Sequence, residues 1–195
     1  VWFKRDLRFI DNEALFHAHQ SGLPLLLLYI FEPSVMNYDD ADVRHWRFIY
    51  ESIQELQKKL NLSNNKIYFF HNETEFVFSE ISKIFEVKTI FSHQEIGNKI
   101  TYDRDIAMQE LFQENNIIWK EFQLHGVIRK LKSRQNWDKR WEEIMRANPK
   151  ILKESELKTI ELTSDFYDVL KGEKLSDKIT IPNKNFQQGG ETLAW

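Results

Sequence analysis

The chain contains no cysteine, and that one absence removes disulfide scaffolds, thiolate metal sites and cysteine nucleophiles together. Glycine and proline are scarce, six and four in 195 residues, which excludes collagen-like, low-complexity and broadly disordered classes. Neither sign of charge dominates. Lys and Arg number 27 against 30 Asp and Glu, a net charge of −3, so the chain as a whole attracts no polyanion and any nucleic-acid surface must be local. No run is apolar for the roughly 20 residues of a membrane-spanning helix; the longest, residues 23–31, is broken by Pro24. The expectation is a cytoplasmic protein without a signal peptide, although opening on Val1 rather than Met suggests a missing start.

Several chemical signatures are also missing. The first strand-to-helix turn has no glycine, so its backbone cannot cradle a phosphate as nicotinamide dehydrogenases and P-loop NTPases do. The six His residues form no H-E-x-x-H pair and no G-x-S-x-G elbow exists, so neither a metal site nor a hydrolase triad is expected. No catalytic residue is nominated, and elimination leaves a binder.

What is present is pattern. Residues 25–31 form a continuous apolar run without alternation, as in a strand buried on both faces. Shorter apolar runs at 1–3, 66–70, 89–92 and 117–122 read as further strands, the first looking cut short at its front. Between them lie helical stretches. Asp11-Asn12 is a capping pair; in 41–60 Trp46, Ile49, Ile53, Leu56 and Leu60 recur at steps of three and four, with Asp39, Asp40 and Asp42 in front and Lys58 and Lys59 behind. Residues 74–85 and 102–115 repeat that periodicity. Strand and helix alternate through five strands, which predicts an α/β fold: a doubly wound five-stranded parallel sheet, Rossmann-like, with helices on both faces.

Such sheets bind ligands at the carboxyl ends of their strands, so the loops at 4–8, 32–36, 71–73 and 93–99 are the ones to watch. Arg5, Asp6 and Arg8 crowd the first of these, either as an ion-pair network that fixes the turn or as ligand contacts. Gln94 and Glu95 carry the same two readings. Residues 127–141 hold six basic residues, Lys130 among them, against Asp138 alone, with Trp137 and Trp141 four apart on a predicted helix reaching Ala147. That stretch either tracks phosphates and stacks bases or packs its indoles beneath a solvated face. Residues 150–185 are polar and weakly periodic, as in an extended connector running over the surface, and Phe186 opens something new that Trp195 cuts off. The expected organisation is an α/β domain at 1–126, a basic helix and connector at 127–185, and a further start at 186–195.

Val1-Trp2-Phe3-Lys4-Arg5-Asp6-Leu7-Arg8 followed by Asp11-Asn12-Glu13-Ala14-Leu15 closely resembles the opening of the photolyase/cryptochrome family. Further matches are Tyr29-Ile30-Phe31, Arg44-His45-Trp46-Arg47-Phe48 and Tyr102-Asp103-Arg104-Asp105. Phe186-Gln187-Gln188-Gly189-Gly190-Glu191 is similar to the F-x-P-G-G-E stretch that introduces the family's flavin domain, with Gln188 where proline is common.

The resemblance implies the amino-terminal antenna-binding domain of a larger flavoprotein, in which residues 186–195 begin a truncated helical domain. In that family the FAD and DNA-lesion pockets lie in the helical domain, which would pack on this one, so the present fragment is expected to be inactive by itself. A whole member uses blue light and reduced FAD to repair cyclobutane pyrimidine dimers in damaged DNA, as a deoxyribodipyrimidine photo-lyase; the alternative is a cryptochrome that senses blue light without repair. Members with a flavin or deazaflavin antenna seat it over the sheet's carboxyl edge, and the matching positions here are Arg5, Asp6, Leu7, Arg8, Phe31, Glu32, Arg44 and Glu95. Folate-antenna members resemble E-x-N-E near the fourth strand, whereas this chain reads Glu95-Ile96-Gly97-Asn98. A flavin, deazaflavin or lumazine therefore suits it better than folate. A nucleotide-binding α/β protein outside the family is the remaining reading.

Overall fold

In a computed structural model residues 1–129 and 131–193 are described; Lys130 of the basic stretch, and Ala194 and Trp195 of the final segment, lie outside the described residues. The apolar run resolves into a strand, Leu27–Phe31 (β2), buried at all five positions. Successive strand residues face opposite ways, so an unbroken apolar run means a core on each side. Leu27, Tyr29 and Phe31 join one core with Leu15 and Ala18 of the helix Glu13–Gln20 (α1) and Ile53, Leu56 and Leu60 of Val43–Asn61 (α3). Leu28 and Ile30 join the other, with Val77, Phe78 and Ile81 of Thr74–Ile84 (α4) and Met108 and Phe112 of Lys99–Glu114 (α5).

Trp2–Phe3 (β1), Ile67–His71 (β3), Thr89–His93 (β4) and Ile118–Phe122 (β5) supply the other strands, all parallel. Their backbone ladders form two groups, β1-β2-β3 and β4-β5, so the five strands expected from sequence are hydrogen-bonded as three plus two. β1 pairs with β2 through only two residues, Trp2 with Leu28 and Phe3 with Tyr29. β4 lies beside β1. The chain thus builds outward from β1 in one direction, then returns to build outward on its other side. The line between β1 and β4 is the topological switch point, where the loops after the two strands diverge and leave a hollow. The short helix Pro33–Met36 (α2) follows β2 directly, opening on a proline whose missing N–H costs nothing there.

Asn12 caps α1. Its side-chain oxygen accepts from Leu15 N at 2.9 Å, while its amide donates to the Asp6 and Arg8 carbonyls at 3.0 and 3.1 Å. One buried side chain therefore joins the helix start to the first loop. Asn12→Ala is expected to lower stability by about 2 kcal/mol, the upper end for loss of a cap, because the loop carbonyls lose their donor as well. A urea midpoint unchanged from the wild type would contradict this.

Two expectations need correction. The segment 150–185 does not simply cross the surface, since Leu152, Leu157, Leu162, Leu170, Leu175 and Ile179 are buried in the two cores. It forms a 3-10 turn at Glu154–Glu156 and the helices Ser164–Leu170 (α7) and Asp177–Thr180 (α8), and bridges Leu25 to Thr159 and His71 to Gly172 in parallel fashion. Apolar residues delivered singly, between turns, leave no period in the sequence. The predicted helix reaching Ala147 shrinks to Trp137–Met145 (α6), on which no residue is buried. Trp137 and Trp141 stay about two-fifths exposed (41% and 40%), so they are not packed beneath the helix as core residues are.

Candidate functional site

The hollow at the switch point is a cleft of about 870 Å³. Its floor is the end of β1 and β2, one wall is the first part of α3, and the opposite wall is the loop after β4 with the start of α5. That volume falls in the range of small-molecule sites.

The first loop is built around Asp6, whose side chain is fully buried. Its carboxylate accepts from Lys4 N at 2.8 Å and contacts His93 Nδ1 at 2.5 Å, tying β1's loop to the end of β4. Burial alone would raise this carboxyl, but the bonds from His93 and Lys4 outweigh it and hold it below the ordinary carboxylate value. Asp6 is therefore the strut that shapes the turn, and Arg5, Leu7 and Arg8 are what the turn displays to the cleft.

Beneath lies a dense set of ion pairs. Lys4 Nζ meets Asp105 Oδ2 at 2.8 Å; Arg104 pairs with Glu32, with Asp105 at 2.9 Å and with Glu95 at 3.4 Å; Arg129 meets Glu121 at 3.0 Å and Asp105 at 3.3 Å. Arg5 Nε reaches across the switch point to Glu95 Oε1 at 3.0 Å. Burial pushes the Lys4 ammonium down while Asp105 pulls it back up, and burial raises the Glu32 carboxyl against the pull of Arg104. Four cations, Lys4, Arg5, Arg104 and Arg129, thus face four acids, Glu32, Glu95, Asp105 and Glu121. The lower site carries no excess positive charge. Spare donor capacity sits at the rim: Arg8 is 4.0 Å from its nearest acid, Asp11, with its guanidinium donating to the Ile10 and Asp11 carbonyls, and Arg5 is bonded through Nε alone among the described residues.

The α3 wall is mainly apolar. His45, Trp46, Phe48 and Ile49 line it above Tyr29, and the Trp46 indole N–H is buried with no acceptor among the described residues. An aromatic wall with an orphaned donor, facing a polar wall with rim guanidinium groups, can take a flat heteroaromatic ring on one side and a hydroxylated or anionic tail on the other. At the mouth, Asn98 donates from Nδ2 to both oxygens of Asp40, at 3.1 and 3.0 Å, joining the two walls. Among the described residues no group of three or more metal-ligating side chains occurs, and no helix is long and apolar enough to cross a membrane.

Of the eight positions drawn from the resemblance, Arg5, Asp6, Leu7, Arg8, Glu32 and Glu95 line the cleft. Phe31 and Arg44 do not. Phe31 is fully buried, edge-on to Tyr29, Trp46 and Phe69, so it supports the wall from behind. Arg44 is turned back on the residue that caps its own helix, Asp42 at 3.4 Å, and stays exposed. Residues not singled out as contacts are His45, Trp46, Phe48 and Ile49, and Asn98, which caps α5, with Thr101 and Arg104 on that helix. The matching segments 44–48 and 102–105 were the signal that pointed to both helices.

The DNA photolyase family model matches residues 1–146. Among curated proteins, the chain is 32% identical over 127 residues to the deoxyribodipyrimidine photo-lyase of Vibrio cholerae, covering 63% of this chain and 27% of that protein. It is 30% identical over 132 residues to cryptochrome DASH of Synechocystis, covering 65% and 25%. The chain therefore spans about a quarter of the length of these relatives. A solved archaeal photolyase from Sulfolobus tokodaii, described with two FAD molecules, shares the fold at TM-score 0.65 and 21% identity over 89% of this chain and 41% of that one. A Synechocystis cryptochrome does so at TM-score 0.68 and 20% identity over 98% and 43%. The family model covers residues 1–146 of the 195, well over half, and the fold is shared with these solved structures: the chain belongs to the DNA photolyase family, as its amino-terminal α/β domain.

Proposed function

We propose that this domain holds a light-harvesting chromophore in the switch-point cleft, and that the whole protein is a DNA photolyase that repairs cyclobutane pyrimidine dimers with blue light and reduced FAD. One observation carries the reading: a cleft of about 870 Å³ at the sheet's carboxyl edge, apolar on the α3 wall and with Arg5 and Arg8 at its rim. The residues present fit a flavin, deazaflavin or lumazine, each a flat ring with a ribityl-type tail. Trp46 and Phe48 would flank the ring, the Trp46 N–H would find an acceptor, and Arg5 and Arg8 would take the tail. When bound, such a chromophore absorbs near-ultraviolet or blue light; the domain's own work is to bind, orient and exclude water. The Sulfolobus tokodaii relative, described with two FAD molecules and a novel light-harvesting cofactor, supports a flavin in this role. Under this reading residues 1–126 are the antenna unit and 127–185 the connector, with FAD, damaged DNA and a helical domain as the protein's further partners.

Titration with FMN, FAD, a deazaflavin, a ribityllumazine and a folate tests the site by absorbance and fluorescence. One of the ribityl-bearing compounds is expected to bind and folate to bind poorly. The Arg5→Ala, Arg8→Ala double variant should lose roughly ten- to a hundredfold in affinity, as expected for charge-assisted hydrogen bonds, and Arg44→Ala should match the wild type. Unchanged affinity in the double variant would remove the rim from the site. The cryptochrome reading is favoured by the comparable match to cryptochrome DASH. Illumination of the complete protein with a dimer-containing oligonucleotide separates the two readings, since only a photolyase restores the pyrimidines.

A further inference from the structure

Residues 186–192 lie along α3 and are fastened to it at successive turns. Arg47 sits over the Phe186 ring at 5.2 Å, Glu51 Oε2 accepts from Gly189 N at 2.7 Å, Glu55 Oε1 accepts from Thr192 N and Oγ1 at 3.1 and 2.9 Å, and Lys59 Nζ meets Glu191 Oε2 at 2.9 Å. Positions 47, 51, 55 and 59 are four apart, so one stripe of α3 is given over to this segment. The two glycines are what let it lie so close. A Cβ on Gly189 would stand 2.0 Å from the Phe48 carbonyl oxygen, and Gly190 has φ of +128°, in the region that favours glycine.

Glu191 is 5% exposed and reaches past α3 to the first loop, where its two oxygens accept from Phe9 N at 3.2 Å and Ile10 N at 2.7 Å. Phe9 and Ile10 directly follow Arg8, whose guanidinium donates to the Ile10 and Asp11 carbonyls. Gly190 and Glu191 also line the cleft. One carboxylate from the far end of the chain thus bonds α3, the cleft and the loop that carries the rim arginine.

We infer that residues 186–192 form a strap completing the cleft wall, and that Glu191 is a positioning residue which sets the Arg8 loop for ligand. The inference rests on the cleft being the ligand site and adds the element that orders it. Because the strap and ligand share the loop, their effects are reciprocal: a seated ligand holds the strap, and the strap holds the ligand.

Amide hydrogen exchange on the full chain, read with and without FMN or 6,7-dimethyl-8-ribityllumazine, tests this, together with each probe's affinity. In Glu191→Ala, exchange at Phe9, Ile10 and residues 187–192 is expected to speed up roughly tenfold or more, and probe affinity to fall roughly tenfold. Gly189→Ala should reproduce both effects by displacing the strap without touching the carboxylate. In the wild type, saturating probe should slow exchange at 187–192, which a merely structural carboxylate would not produce. Faster exchange with unchanged affinity, or no ligand effect on the strap despite binding, overturns the proposal. If none of the ribityl-bearing compounds binds the wild type, the chromophore reading fails by itself, and unaltered exchange in Glu191→Ala separately removes the strap.

Discussion

Arg104→Met is expected to cost about 3–5 kcal/mol, the range for removing one member of a buried ion network. Arg104 is 13% exposed, touches Glu32, Glu95 and Asp105, and lies 4.8 Å over the Trp2 ring. The three acids do not suffer equally. Glu95 keeps Arg5, and Asp105 keeps Lys4 and Arg129, but Glu32 has no other cationic partner among the described residues. Its carboxyl already stands above the ordinary value through burial, with Arg104 restraining it, and loss of that restraint raises it further. A carboxyl whose folded-state value is raised favours folding more as pH falls through that value. The stability gap between wild type and variant is therefore widest near pH 7.5 and narrows towards pH 5. Urea unfolding of both proteins at the two pH values checks this; a gap that widens in acid would show that Glu32 is not the group left stranded.

Asp6→Ala should be equally severe, about 3–5 kcal/mol, because two buried donors, His93 Nδ1 and Lys4 N, lose their side-chain acceptor together, while Asn12 Nδ2 keeps only its carbonyl partners. The sign of the pH effect is opposite. Asp6 is held below its ordinary value, so its contribution is present in full above the unfolded-state value of about 3.9 and is lost as pH falls through the lower folded-state one. The advantage of wild type over Asp6→Ala should hold from pH 7 to pH 5 and shrink only below about pH 4. Chromophore affinity should fall as well, since the loop displaying Arg5 and Arg8 loses its strut. A thermal midpoint within a degree or two of wild type would mean that the loop is shaped by something else.

The layers were readable from one-dimensional pattern wherever a run or period was long. The unbroken apolar stretch of β2 required two cores, and the three-and-four spacing in α3 marked the helix that walls the cleft. The first loop stood out because two guanidinium groups and a carboxylate at a strand end are costly to place without partners. Of the two meanings weighed for it from sequence, the geometry shows the turn-fixing network around Asp6; Arg5 and Arg8 border the hollow, where ligand contact is the proposal. The remainder depended on partners far apart in the chain. Lys4 meets Asp105 across 101 residues and Phe9 meets Glu191 across 182, and no local spacing announces such pairs. Phe31 and Arg44 illustrate the opposite error. Each lies next to a cleft residue in sequence, but packing turned one inward and helix capping turned the other outward.

Among the described residues, backbone hydrogen bonds run from β3 through β2 to β1 and again from β4 to β5, with no ladder across the line between β1 and β4. Side chains stitch that line instead: Asp6 to His93, Arg5 to Glu95, and the Trp2 ring stacked on Trp119 at 5.8 Å. A sheet joined in this way depends along that line on a few side chains in place of a backbone ladder. The cleft opens directly above that seam, with lining residues from both sides of it, so an occupant touching both walls would tie the two halves to one another as a rivet does.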